Sequence, residues 1–465
     1  MSDETPEQPD ENGLIPAEAN PWWWLANYHG VPKNEDDPKI AENRETWNKI
    51  LYAKLKGAKR DLLTKKIDEF NLPLFRVSGR FPPPELRQIR EYCIEEARKN
   101  WKHTFDFDGY FPFALNGPRN QNTFKNTLFT KPLFFSGCLF ADEFDFQGST
   151  FEKRAHFSDT FFLDHANLSR CTFKGKSYFS KALFFGPVAF GASKLIGNCY
   201  FNDAKFLDNA NFNSFFWNPS ATPYQEANFS NTDFFLRADF PSAEFHTAIF
   251  NGAKFHESTN FQNTIFQVPP RFHKTTLHSD TNWEVKSWPN NNPDGLKQAV
   301  EWKSSWSRLK LHMNAQQRHD LEQIFFCKEM EVDRCILKLK GGKYIERFSY
   351  FLYKWLSGYG QSIGLTLVWL LIFLIAFSGI YTTLGILEYS NPLGAPWLES
   401  SFWEELKLGL KISFANTLPI LGIHRYFLSS ETSGWIFAFS GLQSTLSLVL
   451  LFLLGLGLRN KFRIK

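Results

Sequence analysis

The sequence predicts an α+β membrane protein: a square β-solenoid flanked by helical segments and followed by two transmembrane helices. Three observations carry this prediction. A five-residue repeat rich in Phe occupies residues 124–266, apolar residues recur at helical spacing on either side of it, and two long uncharged runs stand near the C-terminal end. Whole-chain averages conceal the pattern, because a mean hydropathy of -0.32 and 22% charged residues describe a soluble protein. What departs from an ordinary composition is the 51 Phe.

Residues 1–38 read as a disordered acidic tail. Their first twenty carry Asp3, Glu4, Glu7, Asp10, Glu11 and Glu18 with no Lys or Arg, a composition that favours disorder. No apolar run follows Met1, so no secretory signal peptide is expected. The Trp22-Trp23-Trp24 cluster reads as a packing plug rather than an interfacial anchor. Residues 39–110 favour helix, broken at Pro82-Pro83-Pro84, and are expected to form an N-terminal helical cap.

The solenoid is expected over 124–270. Phe240, Phe245, Phe250 and Phe255 stand five apart, and two residues before each stands Ala238, Ala243, Ala248 or Ala253. The same small-x-large rule holds at Ala155/Phe157, Thr160/Phe162, Ala166/Leu168, Cys171/Phe173, Cys199/Phe201, Ala204/Phe206, Ala210/Phe212 and Ala227/Phe229. Neither a 3.6-residue helix nor a two-residue strand alternation produces this period. If each five-residue unit is one side of a square coil, both residues of the rule point inward. Four sides then use about twenty residues, giving roughly seven coils and a rod on the order of 30 to 35 Å long.

The units "ANLSR", "ANFNS", "ANFSN" and "ADFPS" resemble the pentapeptide-repeat family, whose unit is A-(D/N)-L/F-x-x. The resemblance implies a right-handed quadrilateral β-helix. Some members of that family imitate duplex DNA with a strongly acidic surface. This solenoid is expected not to, because 12 Lys/Arg stand against 13 Asp/Glu between Phe124 and Phe266 and mimicry needs phosphate-like charge density. No nucleic-acid partner is therefore expected. Doubled aromatics such as Phe134-Phe135, Phe184-Phe185 and Phe234-Phe235 put one ring inside and its neighbour outside. The outer rings are either a contact surface or covered by flanking loops.

Residues 294–345 read as a helical linker. Trp302, Trp306, Leu309 and Met313 recur at helical spacing, and Leu321, Phe325, Val332, Cys335 and Leu339 continue a similar stripe. Transmembrane helices are expected at 363–387 and 434–458, each long enough to cross a ~30 Å hydrocarbon core. Lys338, Lys340, Lys343, Arg347 and Lys354 precede the first span, and Arg459, Lys461, Arg463 and Lys465 follow the second. The positive-inside rule then places the chain in the plasma (inner) membrane as a multi-pass protein with both termini cytoplasmic. The exported segment, 388–433, contains a short helix and a Pro-interrupted apolar stretch that could re-enter the bilayer. This order looks like that of two-span ion channels. Where potassium channels carry T-V-G-Y-G, Phe414-Ala415-Asn416-Thr417-Leu418-Pro419-Ile420 stands instead. The candidate pore lining is Asn416, Thr417, Pro419, Gln443 and Ser447; Ser440, Gln443, Ser444 and Ser447 also form a polar stripe suited to helix packing in an oligomer.

No catalytic triad, phosphate loop or metal-ligand spacing can be assembled, so no catalytic residue, cofactor or metal is expected. The six cysteines are read as reduced thiols. Two functions fit: a scaffold whose solenoid binds a cytoplasmic protein partner, or an oligomeric, ion-channel-like pore gated or assembled by the solenoid. The lipid bilayer and further copies of the chain, as a homo-oligomer, are the other expected partners.

Overall fold

The computed structural model describes residues 13–55, 57–69, 83–99, 124–217, 225–289, 293–389, 400–421 and 434–462. They divide into two compact units, Met1–Asn290 and Asn291–Lys465.

The first unit is a solenoid of about six turns whose backbone pairs coil to coil in four parallel sheets, one of eight strands and three of six. Each strand buries one face in the interior and turns the other outward, as at Lys194-Leu195 and Lys254-Phe255. The coil is longer than a five-residue unit allows. Thr150 pairs with Thr172 and Thr172 with Lys194, and on the next sheet Ala155 pairs with Ser177 and Ser177 with Cys199. These coils are thus 22 residues, not twenty, and the inward large residues Phe129, Phe135, Phe140, Phe146, Phe151, Phe157 and Phe162 step by six and five in alternation. The cause is in the corners. Every eleventh residue, from Asn126 through Gly137, Gly148, Asp159, Arg170, Lys181, Ala192 and Asp203 to Ser214, has a left-handed φ. There Cys138 N–H donates to Phe135 O (3.0 Å) and Ala182 N–H to Phe179 O (3.1 Å), closing a four-residue turn of the kind that requires positive φ at its third residue. The other corners take one residue more. Two coils depart from this length: one takes 28 residues, with Cys199 opposite Ala227 and Lys205 opposite Asp233, and the next, which holds the strictly regular run from Phe240 to Phe255, takes 21, with Ala238 opposite Thr259 and Asp233 opposite Lys254.

The inward rings stack in columns at the strand spacing. Phe140, Phe162, Phe184, Phe206, Phe234 and Phe255 follow one another at 4.7–4.9 Å with planes within 9°. Adjacent columns meet edge to face, as at Phe179 and Phe190 (5.3 Å, 90°), an arrangement aromatic quadrupoles favour. Phe240, Phe245, Phe250, Phe255, Ala238, Ala243, Ala248 and Ala253 are all 0–2% exposed. At several coils where the small inward residue is Ser or Thr, its hydroxyl donates to a carbonyl of the preceding coil: Ser193 to Leu168 O (2.6 Å), Thr264 to Phe240 O (2.8 Å), Thr275 to Phe250 O (2.6 Å). That bond is why the small class tolerates a polar group. At the corner between the first two sheets a Cβ on Gly197 would stand 2.2 Å from Gly175 O; only glycine fits.

Composition reads 1–38 as a disordered tail, but residues 13–38 carry regular structure: Ile15–Pro16 adds a parallel strand to Thr127–Leu128, and helix α1 (Pro21–Ala26) follows, with Asn20 capping Trp22 N–H at 2.9 Å. Trp22 lies 5.3 Å from Phe144 and Trp23 6.0 Å from Phe129, so apolar burial overrides the local charge. Helices α2 (Lys39–Lys54), α3 (Ala58–Glu69) and α4 (Pro83–Lys99) complete this region. From α2, Trp47 Nε1 donates to Leu139 O (2.8 Å), and Asn48 both donates to Gly137 O (2.9 Å) and accepts from Leu139 N–H (2.8 Å). The Asn48 carboxamide replaces the peptide group that a preceding coil would offer, which closes an edge otherwise open to pairing. The opposite end runs beyond residue 270. Isolated bridges continue at Arg271, Thr276, Asn282 and Ser287, and Trp283 and Trp288 stack on Phe261 (4.9 Å) and Phe266 (5.6 Å).

The second unit begins with an antiparallel hairpin of α5 (Leu296–Ala315) and α6 (His319–Leu339). Trp302, Trp306, Leu309 and Met313 pack against Leu321, Phe325, Val332 and Ile336, all buried, and Lys303–Asp333 and Lys310–Glu329 pair across them at 2.6 Å. Helix α7 (Tyr344–Ser357) ends at a left-handed Gly358. Helices α8 (Ile363–Tyr389), α9 (Ser400–Thr417) and α10 (Gly434–Phe462) then pack together. Within α8 and α10, Ile363–Leu384 and Gly434–Phe462 are long and apolar enough to cross a membrane.

Candidate functional site

Helices α8, α9 and α10 enclose a polar cluster in an otherwise apolar interior. Gly409 makes the enclosure possible: a Cβ there would stand 2.6 Å from Thr382 Oγ1 and 2.8 Å from Ser378 O, so α9 can approach α8 this closely only without a side chain. One turn further on, Ser413 Oγ donates to Leu374 O (2.7 Å) and accepts from Gln443 Nε2 (2.8 Å), whose second N–H reaches Ser413 O (3.0 Å). Tyr381 OH donates to Gln443 Oε1 (2.9 Å) and accepts from Asn416 Nδ2 (3.3 Å). Asn416 Oδ1 accepts from Ser440 Oγ (3.0 Å) and Ser444 Oγ (3.3 Å). Asn416 and Gln443 are both 0% exposed, and each makes three hydrogen bonds of the four an amide allows.

Of the candidate pore-lining residues, the structure brings Asn416 and Gln443 into this one network. Ser447 lies buried on the same face of α10, and its Oγ has no partner among the described residues. Thr417 is half-buried and its hydroxyl returns to Ser413 O in its own helix (2.9 Å). Pro419 starts a single 3-10 turn ending at Leu421. Sequence reasoning missed Tyr381 and Ser413, which sat inside runs read for hydropathy alone. Their signal was the i, i+3, i+4 spacing of Ser378, Tyr381 and Thr382 on α8 and the i, i+3 spacing of Ser413 and Asn416 on α9.

On the first unit, the second sheet carries an outward ring ladder. Phe134, His156, Tyr178 and Tyr200 are in register and stack at 5.0, 4.6 and 5.3 Å. Each is half-buried by the ring of the neighbouring coil. Beside it opens a cavity of about 570 Å³ lined by Lys33, Glu35, Phe134, Lys153, Arg154 and Lys176. Burial holds the His156 imidazole below its usual pKa, against the pull of Glu35. Burial likewise raises the thiols of Cys138, Cys171 and Cys199, so they stay protonated and unreactive.

A family model described as pentapeptide repeats (9 copies) matches residues 124–172 and 168–214. The coil register and the stacked Phe columns over those same residues agree with it. This segment is a pentapeptide-repeat solenoid. The columns continue in identical geometry through Phe229, Phe240 and Phe261, so the pentapeptide-repeat fold runs past the matched residues. No match was found among curated proteins or among solved structures.

Proposed function

We propose that this chain is a non-enzymatic, membrane-tethered interaction scaffold, in which the pentapeptide-repeat solenoid presents its outer faces to a cytoplasmic protein. Helices α8 and α10 cross the inner membrane with both termini cytoplasmic, as the basic flanks favour, and the segment between them is exported. The observation that carries this reading is that Asn416 and Gln443 each find three of their four possible hydrogen bonds within one chain. In hydrocarbon, polar side chains seek partners wherever they can be found. Here three helices of a single copy supply them, so neither a water-filled lumen nor a homo-oligomer is needed to satisfy them. A pore would have to break that network to expose its lining. The ring ladder supports a protein contact, because aromatic residues are enriched where proteins meet.

Two measurements on the full chain test this. Protein reconstituted in liposomes is expected to pass no small cation; a flux that Asn416→Leu reduces would restore the pore. A photo-crosslinking residue at Tyr178 is expected to capture a partner in cells that the same residue at Lys194, exposed on the adjoining sheet, does not. Equal capture from both faces would remove the ladder as the contact.

A further inference from the structure

Helix α7 is amphipathic in an unusual sense, since its apolar face is the one left open. Tyr344, Ile345, Phe348, Phe351 and Trp355 fall at steps of one, three, three and four, a single helical stripe. They are 86, 81, 59, 46 and 47% exposed. The rings follow one another at 6.4 Å (Phe348–Phe351) and 6.2 Å (Phe351–Trp355). The opposite face holds the helix in place: Lys354 pairs with Glu331 of α6 at 2.8 Å, and Tyr350, Tyr353 and Ser357 are half-buried or buried. A helix facing only water would make the reverse choice.

The stripe does not stop at the end of α7. Gly358, Tyr359 and Gly360 all have left-handed φ (56°, 60° and 76°), a corner that turns the chain sharply into α8. Asn460 Nδ2 pins it by donating to Gly360 O (3.2 Å). Across the corner the Trp355 and Trp369 rings stand 3.9 Å apart, and Trp369 Nε1 donates to Trp355 O (3.1 Å). Around and beyond Trp369 the surface of α8 continues with Leu367, Val368, Leu371 and Ile375, 49–61% exposed. The open face of α7 and the outward flank of the first span therefore form one apolar surface. Its start is ringed by the exposed Lys338, Lys340 and Lys343.

We propose that α7 is an interfacial helix whose aromatic stripe lies in the boundary between headgroups and acyl chains. Aromatic residues prefer that depth, and a basic amphipathic helix gains both apolar burial and attraction to anionic headgroups there. The inference rests on α8 being a span and adds the orientation of what precedes it. The occupant is lipid, for two reasons: the stripe is continuous with the outward surface of the proposed span, and over residues 338–357 Lys338, Lys340, Lys343, Arg347 and Lys354 stand against the single acid Glu346.

The test places the full chain, one copy per nanodisc, in phosphatidylcholine and phosphatidylglycerol carrying a diazirine on the upper acyl chain. After illumination, trypsin cuts after Arg347 and Lys354. Lipid adducts are expected on the Phe348–Lys354 peptide and on α8, with none on the peptides of the α5–α6 hairpin. Adducts on α8 without any on Phe348–Lys354 would overturn the proposal while leaving the span intact. An unlabelled α8 would instead overturn the membrane reading on which it rests. In the variant Phe348→Asp/Phe351→Asp, labelling of the α7 peptide should fall to the hairpin level with α8 still labelled. Unchanged labelling of that peptide would also overturn the proposal.

Discussion

Phe250 shows what one residue contributes to the solenoid. Its ring is held between Phe229 (5.1 Å) and Phe272 (4.9 Å) and is 0% exposed. Phe250→Ala should lower stability by about 3 to 5 kcal/mol, the usual range for a buried aromatic that leaves a cavity. Lys254, four positions away and pointing outward, pairs only with Asp233 at 3.5 Å, so Lys254→Ala should cost under ~0.5 kcal/mol. Chemical-denaturation midpoints of the two variants check this; equal shifts would mean the inward register is wrong. His156 adds a pH dependence. Burial makes its imidazole harder to protonate in the folded chain than in the unfolded one, so the stabilisation is fully present above the unfolded value of ~6.5 and declines as pH falls through it. Stability should decline as pH falls through about 6.5, and His156→Phe, which keeps the ring ladder, should flatten that slope.

Elements of this protein depend on single residues that stand in for missing structure. Among the described residues no strand precedes Leu139–Phe140 on its sheet, and Asn48 supplies both a donor and an acceptor at that edge. Asn48→Ala leaves Gly137 O and Leu139 N–H without those partners and should cost ~1 to 3 kcal/mol. Asn48→Asp should be no better, because a carboxylate cannot donate to Gly137 O. Hydrogen exchange at Leu139 is the direct readout, expected to accelerate in both variants. At the crossing of α8 and α9 the critical residue is Gly409. Gly409→Ala would force a Cβ into the α8 backbone at Ser378 O and Thr382 N, pushing the helices apart and weakening the Ser413 and Asn416 bonds. Gly441→Ala on α10 meets nothing within 4 Å. The first should lower the melting temperature of the detergent-solubilised protein markedly and the second should not. Equal behaviour would separate the polar network from the close approach.

For the molecule as a whole, the proposal commits to a topology. Burial keeps Cys93, Cys138, Cys171 and Cys199 from reacting, so only the half-buried Cys327 and Cys335 need replacement by Ser before single cysteines are introduced. In that background a membrane-impermeant thiol reagent applied to intact cells should label Ser390→Cys and spare Lys340→Cys. Labelling of Lys340→Cys would invert the membrane unit and remove the solenoid from the cytoplasm.

What the sequence determined by itself was the kind of order present. The small-x-large rule placed Ala238/Phe240 through Ala253/Phe255 inward, and uncharged length marked 363–387 and 434–458 as span candidates, because both signals reside in contiguous residues. The coil length was out of reach, since the most legible run, Phe240 to Phe255, lies in the one described coil that is a residue short. Alternation of five and six comes from left-handed corners that Arg170 or Lys181 occupy as readily as Gly137. Tertiary structure alone decided what the polar residues of the spans do. Asn416 and Gln443 stand 27 positions apart, with Tyr381 earlier still, and whether such groups face water or each other depends on how closely three helices approach. A missing side chain at Gly409 sets that distance, and a missing side chain carries no periodicity to read.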